Sequence, residues 1–523
     1  MKELLKRNRG FILLTSIAIV FVSLTSMLVP LLLQIFAQSG KERNVNLIFW
    51  VFVAMLCSYF VQIAVMMYRE NFSAKFNTEN LSHLLYKMMK MPYDSYVNLQ
   101  PTYLAGRIFA AVDALYLFLL SGLSNLVNAV LMIILSLILI AMISYPMALI
   151  LLLLVPLNVL GFRWINQRLS AKMSLMQQSS AAAQKDLMAT LSNSELIKSQ
   201  ANTKLLDEAI LPKMRRMYRT LARTNQFAQA SSKTIDFANK LAQNIIYISG
   251  SMLVVQRELS IYSLVMMSIL MSIFFSHLRE ISQVNLDFST LSASNRFVKE
   301  ELLPEENGDV SIENIDSIRL DYPKNELNDK EIFFDIQTEL NRGDSLYLSG
   351  ASGAGKSTLL KMLLKFRRSE GIFVNDLPIA SITNDSLRAR IAYLSQDVSL
   401  LSMSLEENIA FGRKLTKEEK QVVEQSEILE TVFRDKSWDT VLVENGANLS
   451  GGEKQRIAVA RLLLMDFDIC ILDEVTSNID EESSDAIFEI LERICRDKIM
   501  IFTSHNSKNE RFANKKIILG RNA

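Results

Sequence analysis

Gly350-Ala351-Ser352-Gly353-Ala354-Gly355-Lys356-Ser357-Thr358 separates an apolar run, SLYLS at 345–349, from a helix-forming run, LLKMLL at 359–364. The spacing is that of G-x-x-x-x-G-K-[ST], set between a strand and a helix, which is the setting in which that pattern carries chemistry. Glycines let consecutive backbone amides turn around phosphate oxygens, and the start of the next helix adds unpaired N–H groups aimed at the same anion. In such a loop Lys356 reaches the β and γ phosphates of a nucleoside triphosphate, and the Ser357 hydroxyl can ligate Mg2+.

Further along, the apolar run Ile469-Cys470-Ile471-Leu472 delivers Asp473 and Glu474 to its polar end. Asp473 suits the Mg2+ shell, and Glu474 is placed to polarise an attacking water. Around these two motifs, short apolar runs (SLYLSG, IAYLSQ, FDICILDE, KIMIFTS) alternate with segments suited to helices at 356–367, 416–428, 451–465 and 480–495. That alternation predicts an α/β domain with a substantially parallel sheet over 311–523.

Before residue 300 the character is different. Apolar runs at about 11–36, 45–68, 115–144, 146–162, 235–256 and 259–276 are each near or above the length a helix needs to cross about 30 Å of hydrocarbon. They predict a helical membrane domain of six transmembrane helices over 1–300, joined by a polar connector, ELLPEENGDV at 301–310. Lys2, Lys6, Arg7 and Arg9 ahead of the first run place its start in the cytoplasm, and the run is long enough to be a retained span rather than a signal peptide. The polar stretches between spans two and three and between four and five are rich in Ala, Leu, Met, Gln and Lys, so the helices are expected to continue well into the cytoplasm. Pro92 and Pro101 bracket one expected reversal with a short transverse helix, and Pro212 marks another near 203–213.

Composition agrees. Half of the 523 residues are hydrophobic and 21% are charged, a poor fit to a soluble protein of this length. Lys plus Arg at 56 against Asp plus Glu at 55 gives a net charge of +1, so no global field favours a nucleic-acid partner. Cys57, Cys470 and Cys495, with His83, His277 and His505, have neither disulfide nor metal-site spacing.

The segment Leu449-Ser450-Gly451-Gly452-Glu453 makes the reading specific. Together with the two motifs above it resembles the signature of the ABC transporter family, and the order of membrane domain before ATP-binding domain resembles an exporter-type half-transporter. The resemblance implies ATP and Mg2+ as cofactors, and Ser450, Gly451 and Gly452 as contacts to the γ phosphate of ATP held by a second subunit. It further implies that Tyr322, in RLDYP, stacks on adenine and that Gln396, in YLSQD, senses Mg2+. His505, in FTSH, would contact the γ phosphate beside the catalytic Glu474. Glu444, in TVLVENG, and Asp480, in SNID, would serve interdomain and dimer coupling. KKIILGRNA at 515–523 looks like a shortened form of the family's final strand and turn.

A loop and a signature that serve opposite partners imply a dimer with two composite sites. Both half-sites look intact, so an identical chain is the expected partner, in a bacterial cytoplasmic membrane with no nucleic acid involved. The expected activity is ATP-driven export by alternating access. Met, Leu, Ile and Phe mixed with Ser and Asn in the spans suit a small peptide or amphiphilic natural product as cargo; hydrophobic drugs or lipids are the alternative, and an ATP-gated regulatory or channel-like role stands third.

Overall fold

Leu, Ile, Met, Phe and Ala fill the first 300 residues with little glycine, a composition that favours long uninterrupted helices. The computed structural model describes residues 9–28, 30–32, 45–192, 194–199, 204, 206–326, 333–443, 446–476 and 481–520. It divides into two units, Met1–Pro304 and Glu305–Ala523.

The first unit is helical: α1 Arg9–Ser26, α2 Val45–Met89, α3 Tyr93–Leu99, α4 Pro101–Leu117, α5 Leu123–Ile143, α6 Tyr145–Ser192, α7 Ser194–Ser199, α8 Leu211–Val255 and α9 Ile261–Glu300. The residues between Pro92 and Pro101 form the seven-residue α3, which ends at Gln100 with φ +65°. At 48 residues, α6 is about 72 Å long, more than twice the hydrocarbon thickness of a bilayer. Phe49, Trp50, Phe52, Tyr59 and Phe60 stay exposed on α2, as side chains facing lipid would. Met132, Ile140, Leu151, Ile246, Leu270 and Phe274 close the interior between α5, α6, α8 and α9. Two pairs of polar groups inside this bundle are matched across helices. Asn158 and Asn239 exchange two amide hydrogen bonds of 3.0 Å, and Gln177 Nε2 donates to Ser294 Oγ at 3.1 Å.

Two expectations about the spans need correction. Among the described residues five helices, not six, are long and apolar enough to cross a membrane: Arg9–Leu32, Phe49–Met89, Leu123–Ile143, Tyr145–Ser192 and Ile261–Glu300. The run 235–256 is helical, as the C-terminal half of α8, but it carries Asp236, Asn239, Lys240, Gln243 and Asn244. Three of these reach neighbouring groups: Asn239 meets Asn158, Asp236 meets Arg279 (3.3 Å) and Gln243 meets the Tyr247 hydroxyl (3.1 Å). The run 115–144 is not one element either, because a π-helical turn, Phe118–Gly122, separates α4 from α5.

The second unit holds two sheets. An antiparallel sheet in the order β2-β1-β4-β5 contains β1 Ser317–Glu326, β2 Phe333–Asn341, β4 Ile372–Val374 and β5 Leu377–Pro378. A parallel sheet in the order β6-β7-β8-β3-β9 contains β3 Ser345–Gly350, β6 Ile391–Leu394, β7 Ile469–Asp473, β8 Ile499–Thr503 and β9 Lys515–Leu519. Strands β7 and β8 are buried throughout, which is why they read as unbroken apolar runs instead of alternating ones. Helices α10 Lys356–Leu363, α11 Asn384–Ala389, α12 Leu405–Ile409, α13 Lys417–Gln425, α14 Glu430–Phe433, α15 Gly451–Leu462 and α16 Glu481–Ile494 complete the unit.

Register decides where the site falls. Leu394 on β6 is level with Leu472 on β7, Asp473 on β7 with Thr503 on β8, and Tyr347 on β3 with Phe502 on β8. The carboxyl ends of four neighbouring parallel strands therefore finish together, the edge at which such sheets bind ligands.

Candidate functional site

The loop after β3 is shaped by its glycines. Gly350 has φ +153°, and a Cβ there would lie 2.4 Å from the Leu519 carbonyl oxygen on β9. Gly355 has φ +95° and caps α10 in the left-handed conformation, a geometry that costs an L-residue about 1–2 kcal/mol. Ser352 and Gly353 are exposed at the crest, Ala354 is buried beneath it, and Ser357 and Thr358 open the helix. Lys356 Nζ folds back over the loop, donating to Gly350 O at 2.7 Å and to Ala351 O at 3.4 Å. Held among the described residues by these carbonyls, a cation at the mouth of an amide-rich loop is ready to exchange them for an anion.

From Ser357 a chain of polar contacts crosses the strand ends. Ser357 Oγ donates to Asp473 Oδ1 at 3.4 Å, and Thr503 Oγ1 donates to the same oxygen at 3.0 Å. The Glu474 amide donates to Thr503 Oγ1 at 3.0 Å. Glu474 itself has φ +53°, a strained conformation for a non-glycine residue that swings its side chain away from the strand. Its Oε2 then meets His505 Nε2 at 2.9 Å. Gln396 is exposed two residues beyond the end of β6, on the same edge. The structure thus brings Lys356, Ser357, Asp473, Glu474 and His505 together.

Ser450 lies elsewhere. It is the N-cap of α15 in a capping box, its Oγ accepting from the Glu453 amide at 3.3 Å while Glu453 Oε2 accepts from the Ser450 amide at 2.7 Å. Gly451 and Gly452 form the first turn, leaving backbone amides unencumbered by side chains. Among the described residues no hydrogen bond joins Ser450 to the Gly350–Thr358 loop.

Tyr322 is placed unlike a stacking platform. Its ring is 7% exposed, packed in the core against Gly371, and its hydroxyl bonds Ser369. Burial pushes this phenol up, with the Ser369 hydrogen bond acting the other way. Glu444 and Asp480 lie outside the described residues.

Two features escaped the sequence reading. Thr503, 1% exposed, sits between Asp473 and Glu474; a hydroxyl closing the apolar run IMIF, two residues before His505, was the available signal. In the first unit a cavity of about 410 Å³ lies between α6, α8 and α9, lined by Phe162, Ile165, Leu169, Ile235 and Leu286 together with Gln229, Arg279 and Gln283. Those residues come from three distant segments, so no local pattern announces them.

Comparison with known proteins agrees with this geometry. Residues 333–477 match the family described as ABC transporter, and residues 11–278, more than half of the chain, match the ABC transporter transmembrane region. The chain is 27% identical over 377 residues to an ATP-dependent lipid A-core flippase of Sodalis glossinidius, covering 69% of this chain and 64% of that one. It is 30% identical over 320 residues to a protein of the same name from Alkalilimnicola ehrlichii, 58% of this chain and 54% of the relative. An uncharacterized ABC transporter ATP-binding protein of Bacillus subtilis, YwjA, is 37% identical over 193 residues, 36% of this chain and 34% of that one. The matches thus span between about a third and two thirds of these curated relatives. A bacterial Atm1-family ABC exporter with ATP bound has the same fold, with a TM-score of 0.85 at 19% identity over 98% of this chain and 94% of that one. A transmembrane region ahead of an ATP-binding domain is the exporter-type half-transporter arrangement, and the chain belongs to the ABC transporter family.

Proposed function

We propose that this chain hydrolyses ATP, as one half of a dimer, to move an amphipathic lipid across a bacterial membrane. The observation that carries the ATPase reading is the continuous set of contacts from Ser357 through Asp473 and Thr503 to Glu474 and His505 at the ends of the parallel strands. The loop amides cradle the phosphates, and Lys356 exchanges Gly350 O and Ala351 O for β and γ oxygens. The Glu474 carboxylate orients water in line with the γ phosphorus and takes its proton as the bond to the bridging oxygen of ADP breaks. His505 holds that carboxylate in place and reaches toward the γ phosphate.

Ser357 Oγ and Asp473 Oδ1, hard oxygen donors 3.4 Å apart, suit Mg2+, which usually takes one or two protein ligands beside phosphate oxygens and water. When bound there it supplies charge neutralisation between the β and γ phosphates. Among the described residues no hydrogen bond joins Ser450 to the Lys356 loop, and in this reading a complete site takes Ser450, Gly451 and Gly452 from a second copy. Gln396, Thr358 and Ser352 complete the phosphate and metal surroundings. For Tyr322 to stack on adenine, its hydroxyl must leave Ser369 and its ring must turn out of the core.

A lipid displaces the small peptide as the favoured cargo. The match to the Sodalis flippase is longer than the whole second unit, so the likeness to a protein named for a lipid extends into the transmembrane region. The cavity between α6, α8 and α9, lined by apolar side chains together with Gln229, Arg279 and Gln283, suits an amphiphile. The test is ATP-dependent movement of a fluorescent acidic glycolipid and of a labelled peptide panel in proteoliposomes, with the Glu474→Gln protein alongside. Lipid movement lost in the variant supports the reading; peptide uptake with no lipid movement overturns the cargo.

A further inference from the structure

The first turn of α15 carries a carboxylate where an anion is read to arrive. A capping box accepts glutamine or glutamate at its third position, and glutamate brings a full negative charge into the first turn. In this chain that position is Glu453, and its second oxygen is taken: Oε1 lies 2.7 Å from Lys436 Nζ, with the two side chains only 15% and 18% exposed. Burial works against the charged carboxyl, but the Lys436 ammonium and the Ser450 hydrogen bonds outweigh it and hold Glu453 below the usual carboxylate range.

Lys436 is itself held. Its amide donates to Val432 O at 3.1 Å, Val432 is fully buried, and Phe433 and Trp438 on either side pack edge to face with ring centres 4.9 Å apart. The Ser437 amide bonds Thr440 Oγ1 at 2.9 Å. The ammonium therefore comes from an anchored segment rather than from a free surface chain.

We propose that Lys436 is a positioning residue for the phosphate-receiving end of α15: it neutralises Glu453 and fixes its carboxylate, so that Ser450, Gly451 and Gly452 can accept a phosphate carried by the other subunit. This rests on the reading of Ser450 given above. Without Lys436 an uncompensated negative charge stands within the first turn and repels the incoming anion. The loss falls on assembly of the ATP-bound dimer more than on the chemical step, which belongs to Glu474.

The test is steady-state ATP hydrolysis by the full chain in lipid nanodiscs, as wild type, Lys436→Met, Glu453→Gln, the double variant and Ser450→Arg. Lys436→Met is expected to raise KM for ATP about tenfold with kcat changed less than about threefold, a split that marks lost binding. Salt should narrow that gap by screening Glu453. The double variant should match Glu453→Gln alone, because the charge that needed Lys436 is gone. Lys436→Met hydrolysing like wild type overturns the proposal, as does a double variant as impaired as Lys436→Met. If Ser450→Arg also hydrolyses like wild type, the reading of Ser450 falls and this inference with it; if Ser450→Arg is inactive while Lys436→Met is normal, only this inference falls. A thermal midpoint for each protein separates misfolding from lost binding, and the double variant decides the matter even if Lys436→Met is unstable.

Discussion

Glu474 Oε2 stands 2.9 Å from His505 Nε2, although the two residues leave different strands, β7 and β8, and 30 residues separate them in sequence. The pairing depends on the left-handed backbone at Glu474, which turns the carboxylate toward the neighbouring strand end. Glu474→Gln keeps the shape and removes the base. ATP hydrolysis should fall by about 10²–10⁴-fold while ATP binding persists, as phosphate release and nucleotide binding on one preparation would report. His505→Ala should lower hydrolysis in the same assay.

Thr503 holds two acidic positions at once, donating to Asp473 and accepting from the Glu474 amide. Thr503→Val removes both links and leaves that amide without its acceptor, a loss of about 1–3 kcal/mol. Hydrolysis should drop about tenfold, whereas Thr503→Ser, which keeps the hydroxyl, should retain most of it. Equal activity in the two variants would show that the hydroxyl is idle.

Gly350 and Gly353 make a matched pair of substitutions. Alanine at 350 drives its Cβ to 2.4 Å from the Leu519 carbonyl, a backbone atom that cannot step aside without shifting β9. Alanine at 353 meets open space, so only its φ of +80° opposes it. Gly350→Ala should destabilise the chain by about 2–4 kcal/mol and Gly353→Ala by about 1 kcal/mol, read from thermal midpoints of the detergent-purified protein.

Asp468, 3% exposed, accepts from Arg390 Nε (2.7 Å), Arg342 Nη2 (2.9 Å) and the Ile315 amide (2.9 Å). Burial would push its carboxyl up, but these donors and their charges win and hold it below the usual range. A carboxyl depressed in the folded state adds stability that is fully present above its unfolded value, about 3.9, and is lost as pH falls through the lower folded value. The thermal midpoint should therefore decline below about pH 4, and Asp468→Asn should lower it at pH 7 while flattening that acid limb.

What was legible in the sequence had local chemistry behind it. The Lys356 loop could be read because strand, glycines and helix are contiguous, and Asp473 and Glu474 because a fully buried parallel strand leaves an unbroken apolar run ahead of them. The segment 235–256 was misread for the opposite reason: Asn239 is matched by Asn158, 81 residues away, so polarity that breaks a hydropathy run is satisfied within the bundle. At Tyr322 the motif places the residue but not the rotamer, since Ser369 claims its hydroxyl. Lys436 was invisible, since an isolated lysine acquires meaning only when folding sets it on Glu453.

The two amides that join Asn158 and Asn239 also act as a mechanical dowel. Sliding α8 along α6 by one residue's rise would carry Asn239 about 1.5 Å past Asn158, so both bonds would break in the same step. With little water in an apolar bundle to replace them, slippage costs both bonds together, about 1–3 kcal/mol. That pin favours α6 and α8 tilting together over sliding past one another.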